Sequence, residues 1–269
     1  MKYSLFLSDF DGTLVRKDGT ISEKNKSAIE AYRKAGGIFA IVTGRMFSSI
    51  RPRLLELGLD DTLVAAYQGG MIAEAGTGRV LKYSAFSRDE VLEIVRYLEQ
   101  DQALHLHIYC DDLLFSNFDD DYLKLYEKIC GVKAIVSDVP LSEKILSENL
   151  TVCKVISLLD PSKRGALYRR LSGHFGRRFQ VTTSSEWMVE VVPEDAKKSA
   201  ALAFLSEYYA VPKEKVAAIG DQLNDLSMIE AADGKFAVGN AAEELKHIAT
   251  VVASSEEDGV AEALQIAME

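Results

Sequence analysis

The chain has 269 residues, 48% of them apolar and 27% charged, and a net charge of −10. That length admits one large domain or two smaller ones, and the acidic balance argues against nucleic acid or an anionic membrane as a partner. No apolar run reaches the about 18 residues of a membrane helix, and the three widely spaced cysteines, Cys110, Cys130 and Cys153, form no CxxC pair, so buried thiols are expected rather than a disulfide framework or a zinc site.

The opening residues begin like a signal peptide. However, the apolar stretch stops at acidic Asp9 and no small-residue cleavage site follows, so a buried first strand over 2–8 and a cytoplasmic protein are expected. Ser22 is placed to cap a helix running to about Ala35, with Gly36 at its end. A strand over 38–42 then stops at Thr43-Gly44-Arg45, and a helix over 49–57 and a strand over 62–66 follow. This β-α-β-α-β order predicts a parallel sheet with right-handed crossovers. Ser87 and Glu90 have the spacing of a capping box and open a helix to about Gln100. From there to the early 190s the texture changes. Strands are predicted over 104–109, 113–116, 132–136, 152–158, 179–183 and 187–192, and helices over 121–130 and 162–175. The first rhythm then returns, with helices over 198–209, 226–231, 241–249 and 257–267 and strands over 216–219, 236–238 and 251–252.

In open parallel sheets ligands bind at the carboxyl ends of strands. Four polar sequences fall at such ends or beside them: Asp9-Phe10-Asp11-Gly12-Thr13, Thr43-Gly44-Arg45, the stretch around Lys198, and Gly220-Asp221-Gln222-Leu223-Asn224-Asp225. Two carboxylates two residues apart can divide the labour of phosphoryl transfer. One attacks phosphorus, and the other protonates the leaving group and later takes a proton from water. Being close and charged they need a cation, and an oxygen-lined site suits Mg²⁺. Gly12 permits the sharp turn that brings backbone N–H groups toward an anion. Taken alone, the pentapeptide fits an Asp-rich turn about as well.

DFDGT, VTGR, the lysine of VVPEDAKKSAAL and GDQLNDLSMIEAA together resemble the four ordered motifs of the haloacid dehalogenase-like superfamily, and the run from FAVGNAAEELK onward resembles its Cof-type phosphatases. The resemblance spans residues 8–260. It implies a Rossmann-like parallel-sheet α/β core made of 1–82 plus 189–269, with an inserted α/β cap, 83–188, acting as a substrate lid. It further implies that Asp9 is the nucleophile and an Mg²⁺ ligand. Asp11 would be the general acid/base and would reach the metal through its main-chain carbonyl, and Asp221 would be the side-chain metal ligand. Phe10, Thr43, Gly44, Lys198 and Asn224 would bind the phosphoryl group, with Asp225 and Arg45 supporting. Lys198 aligns better than Lys197 because Pro193 and Leu202 keep the motif's spacing. Two departures stand out: Ser199 where the family usually has glycine, and Gln68-Gly69 where it commonly has Asn-Gly, which puts any substrate contact at Gln68 in doubt.

The implied activity is Mg²⁺-dependent hydrolysis of a small phosphorylated metabolite, such as a sugar phosphate, by a monomer or weak homo-oligomer. A phosphomutase and a non-catalytic sugar-phosphate-binding regulator remain open beside it. Inside the insert the sequence says less. His105 and His107 share one strand face, expected to be half-solvated, while Tyr122 and Tyr126 share a helix face and are expected in the core.

Overall fold

The computed structural model describes residues 1–183 and 185–269. The chain opens with β1 (Leu5–Ser8), α1 (Glu23–Lys34), β2 (Ile38–Ile41), α2 (Phe47–Glu56), β3 (Leu63–Ala66), β4 (Met71–Glu74) and β5 (Val80–Tyr83). There follow α3 (Arg88–Glu99), β6 (His105–Cys110), β7 (Leu113–Ser116), α4 (Asp121–Cys130), β8 (Ala134–Val136), α5 (Leu141–Glu148), β9 (Val152–Leu158), α6 (Pro161–Phe175), β10 (Phe179–Thr182) and β11 (Met188–Pro193). Last come α7 (Lys198–Tyr208), β12 (Val216–Gly220), α8 (Leu226–Ala231), β13 (Gly234–Ala237), α9 (Glu243–Lys246), β14 (Thr250–Val251) and α10 (Gly259–Met268).

Two compact units divide the described residues: Met1–Gly44, Arg51–Lys82 and Lys197–Glu269 form the first, and Arg45–Ile50 and Tyr83–Ala196 the second. The first holds a five-stranded sheet in the order β14-β13-β12-β1-β2, with every pairing parallel. β1 and β12 are buried along their whole length, which is why they read as unbroken apolar runs instead of alternating ones. α1 starts where Ser22 accepts the Asn25 N–H, and Asn25 in turn accepts the Ala261 N–H, tying α1 to α10. A parallel bridge from Val42 to Ala65 carries the sheet toward β3, which begins a small antiparallel sheet, β3-β4-β5.

The second unit is a six-stranded sheet, β10-β11-β9-β6-β7-β8, antiparallel except for the parallel β7–β8 pair. One face presents Leu106, Ile108, Val155, Val189 and Val191 to apolar side chains of α3, α5 and α6, such as Ile94, Ile145 and Leu171. The other face carries His107, Tyr109, Lys154 and Glu190. It is not half-solvated, because α4 covers it. His107 is fully buried with its ring against Tyr126, and His105 pairs with Asp120 between the rings of Phe118 and Tyr122. Burial, followed by the neighbouring His105, pushes His107 down to about 3, so it stays neutral. Tyr126 lies in the core as expected, but Tyr122 is 40% exposed, because a helix lying on a sheet turns only one side toward it. Of the cysteines, Cys110 and Cys153 are buried and Cys130 is partly exposed.

The sequence-based return at residue 189 falls inside β11, whose antiparallel pairing with β9 and β10 carries the second unit on to Ala196. In the same sheet Lys154 Nζ and Glu190 lie 2.8 Å apart, both nearly inaccessible to solvent. Replacing Glu190 by Gln is expected to destabilise the protein by about 3 kcal/mol, because one charge of a desolvated ion pair is removed; a denaturant melt would measure it. None of the helices among the described residues is long and apolar enough to cross a membrane.

Candidate active site

β1 ends at Ser8, so Asp9 and the turn after it sit at the carboxyl edge of the parallel sheet, beside the end of β12 and Asp221. Asp9, Lys198, Asp221 and Asp225 are all at most 5% exposed. Lys198, at the start of α7, donates from Nζ to Asp9 Oδ1 and, over 2.5 Å, to Asp225 Oδ1. Lys197 takes the N-cap position of that helix, so the register of α7 alone decides which lysine enters the site.

Asp225 is the pivot of this arrangement. While its Oδ1 accepts from Lys198, its Oδ2 accepts the backbone N–H groups of Asp221 and Gln222, each over 3.0 Å. Asp221 is held by the Thr13 hydroxyl over 3.1 Å and by Gln222 Nε2 over 3.2 Å. Neither Thr13 nor Gln222 was singled out from the sequence. Thr13 belongs to DFDGT and could have been, whereas the role of Gln222 depends on the turn it occupies. Gly12 has φ +77, and a Cβ there would lie 2.4 Å from Asp221 Oδ2, so only glycine lets the first loop pass so close to the fourth. The Gly12 carbonyl also accepts from Asn240 Nδ2 over 2.8 Å.

The electrostatics follow from three buried carboxylates facing one ammonium. Burial holds Asp9 well above the usual carboxylate range; Lys198 pulls the other way, and Asp225 and Asp221 add to the rise. Burial, then Asp225, pushes Asp221 up to about 6. Burial alone would pull Lys198 down, but Asp225 and Asp9 outweigh it and hold the ammonium above its ordinary value. Lys198 is therefore a permanent cation. Replacing it by Met should cost about 3–5 kcal/mol of folding stability at neutral pH, because buried carboxylates are left without their partner. Thermal melting of the variant in chelator measures that loss.

Carboxylate oxygens of Asp9, Asp221 and Asp225 lie within 4.8 Å of one another. Asp225 accepts three bonds, one of them from the Lys198 ammonium, against two longer side-chain bonds to Asp221, so Asp9 and Asp221 are the better placed to hold a metal. Their raised affinity for protons is what an oxygen-lined site shows when a hard cation would replace those protons. The donor set fits Mg²⁺.

The other expected residues are placed as follows. Asp11 is exposed, in contrast to buried Asp9, and Phe10 is buried, its carbonyl accepting the N–H groups of Leu14 and Val15. Thr43 is buried beyond β2, with its N–H donated to the Ala65 carbonyl over 2.8 Å. Asn224 donates from Nδ2 to Gln68 Oε1 over 3.0 Å. Arg45 belongs to the second unit, where its guanidinium meets the Ser49 hydroxyl at 3.5 Å.

Residues 6–264 match the family model of the haloacid dehalogenase-like hydrolases. The chain is 29% identical over 276 aligned residues to the 5-amino-6-(5-phospho-D-ribitylamino)uracil phosphatase YwtE of Bacillus subtilis, covering 94% of each chain. It is 26% identical to the HMP-PP phosphatase of Cronobacter sakazakii, with 88% of this chain and 84% of that one aligned. Among solved structures, a haloacid dehalogenase-like hydrolase from Bacteroides thetaiotaomicron superposes with a TM-score of 0.85 at 26% identity, covering 98% of this chain and 99% of the other. A family match over nearly the whole length and an acidic cluster at the sheet's carboxyl edge agree: the chain belongs to the haloacid dehalogenase-like hydrolases.

Proposed function

We propose that this protein hydrolyses small phosphorylated metabolites, with Mg²⁺ as cofactor, through an aspartyl-phosphate formed on Asp9. The observation that carries the proposal is a buried Asp9 whose carboxylate meets the Lys198 ammonium while Asp221 stands beside it. A carboxylate is a weak nucleophile toward a phosphate dianion because the two repel, and a permanent cation at its oxygen lowers that repulsion.

In the first step an oxygen of Asp9 attacks phosphorus. The bond from phosphorus to the leaving oxygen breaks, and that oxygen takes the proton of the Asp11 carboxyl. In the second step Asp11, now a carboxylate, removes a proton from water as the water oxygen attacks phosphorus. The Asp9–phosphorus bond breaks and inorganic phosphate leaves. Thr43, the N–H groups of Phe10 and Gly44, Asn224 and Lys198 donate to the phosphoryl oxygens, and Asp225 keeps Lys198 aimed. Asp9, Asp221 and the main-chain carbonyl of Asp11 would hold Mg²⁺, which when bound supplies neutralisation of the phosphoryl charge. An exposed Asp11 suits a group that must exchange protons with both substrate and solvent.

Residues 83–188, within the second unit, are assigned as a substrate lid. The reason is their insertion between the segments carrying Thr43 and Lys198, together with the need of an acyl phosphate for shelter from bulk water. Cytoplasmic action belongs to the same proposal, since charged phosphate esters do not cross a bilayer unaided. The two curated relatives above are named for different phosphate compounds at similar identity, so the proposal stops at the substrate class.

A screen of phosphorylated metabolites at fixed Mg²⁺, reading released phosphate, tests the reading. Free phosphate from at least one compound, with no bisphosphate activator, is the expected result. Recovery of an isomer without phosphate release would replace it with a mutase, and binding without turnover would replace it with a regulator.

A further inference from the structure

Gln68 lies in the loop between β3 and β4, is 3% exposed, and has a left-handed backbone at φ +61; Tyr67 before it, at φ +52, does too. Two adjacent non-glycine residues in that region are costly unless their surroundings hold them there. Three contacts do so. The Gln68 N–H donates to the Thr43 carbonyl over 2.9 Å, its Oε1 accepts from Asn224 Nδ2 over 3.0 Å, and its amide lies on Gly44 so closely that a Cβ there would stand 2.7 Å from Nε2. A side chain at Gly44 would have to displace this amide.

The bond also matters from the other end. Asn224 Oδ1 is buried and has no partner among the described residues, so the bond to Gln68 is what orients the Asn224 amide. Asn224 directly precedes Asp225, which aims Lys198 at Asp9. One side chain therefore spans two strand-end loops, the one after β2 and the one after β12.

We propose that Gln68 is a positioning residue for phosphoryl transfer: it couples the Thr43–Gly44 loop to Asn224 and so fixes the spacing of groups that face the phosphoryl from two sides. It does not touch substrate in this role. The inference rests on the hydrolytic reading above.

The test is a double-mutant cycle on the full-length protein, measuring kcat and KM for the best substrate at saturating Mg²⁺. Gln68→Met keeps length and removes both amide groups, while Gln68→Asn keeps the amide and eases the left-handed backbone but shortens the reach. Both should lower kcat about tenfold with KM changed less than about twofold, since a small misplacement of reacting groups acts on the barrier more than on binding. Asn224→Ala, which also removes a phosphoryl donor, should lose at least as much, and Gln68→Met with Asn224→Ala should be no worse than Asn224→Ala alone. Multiplying losses would overturn the coupling. Full activity in Gln68→Asn would show that only the backbone conformation matters. A loss confined to KM would make Gln68 a substrate contact. If the wild-type protein released phosphate from nothing, the hydrolytic reading would fall and this inference with it, whereas an active wild type matched by an equally active Gln68→Met sinks this inference alone.

Discussion

Asp9→Asn is expected to lower turnover by roughly 10⁴-fold or more, the scale seen when a covalent nucleophile is removed, while the protein still folds. An amide keeps the shape of the carboxylate but lacks the charge and lone-pair basicity needed to attack phosphorus. The stability side of the same prediction comes from burial. Asp9 is held well above the usual carboxylate range, so its ionised form costs the empty folded state free energy. Neutralising it removes that cost, and Lys198 keeps Asp225 as a partner. In chelator the variant should therefore melt no lower than wild type. Lower melting together with lost activity would point to a structural role for Asp9 instead.

Asp221→Asn is expected to uncouple the protein from Mg²⁺. Asp221 titrates near 6 in the folded chain against an ordinary 3.8, and between those values the folded state holds a proton that the unfolded state has lost. The sign follows: this group's contribution grows more favourable as pH falls from about 7 to 4, and at neutral pH its full cost, roughly 3 kcal/mol, bears on the metal-free protein. In chelator at pH 7 the variant should thus be about 1–3 kcal/mol more stable than wild type, with the gap closing toward pH 4. Mg²⁺ should raise the melting temperature of wild type by several degrees and leave the variant nearly unmoved. Turnover should need roughly 100-fold more Mg²⁺. Equal Mg²⁺ shifts in the two proteins would remove Asp221 from the metal site.

How much of this could be seen in the sequence depends on whether the information was local. DFDGT, TGR and GDQLND are short, and their polar residues follow buried strands directly, so the sequence alone puts Asp9, Thr43 and Asp221 at strand ends. Ser22 and the Ser87–Glu90 box marked helix starts because a cap is a contact across three residues. β4, β5 and α5 were missed. β4 and β5 are four residues each and β5 is half-exposed, so neither shows an alternation long enough to read, and α5 follows Pro140 with no side-chain cap. The expected helix over 241–249 shrinks to Glu243–Lys246 for want of more than a turn of apolar contacts.

Inside the site the same division holds. Aspartates were legible because the chemistry demands them, and Asp225 was expected in support, whereas the bonds by which the supports act were not legible. That Asp225 would bind Lys198 and two backbone N–H groups at once depends on how the turn before α8 closes. That Gln68 would reach Asn224 depends on a left-handed backbone which no glycine announces at that position. The burial of His107 could not be read from β6 alone either, because α4 supplies it.

The most direct experiment quenches the protein with acid during turnover of its best substrate and reads the peptide containing Asp9 by mass spectrometry. One added phosphoryl group is expected on Asp9, labile to hydroxylamine and missing from Asp9→Asn. Steady turnover with no phosphoryl on that peptide, or with the group on another residue, would contradict covalent catalysis by Asp9.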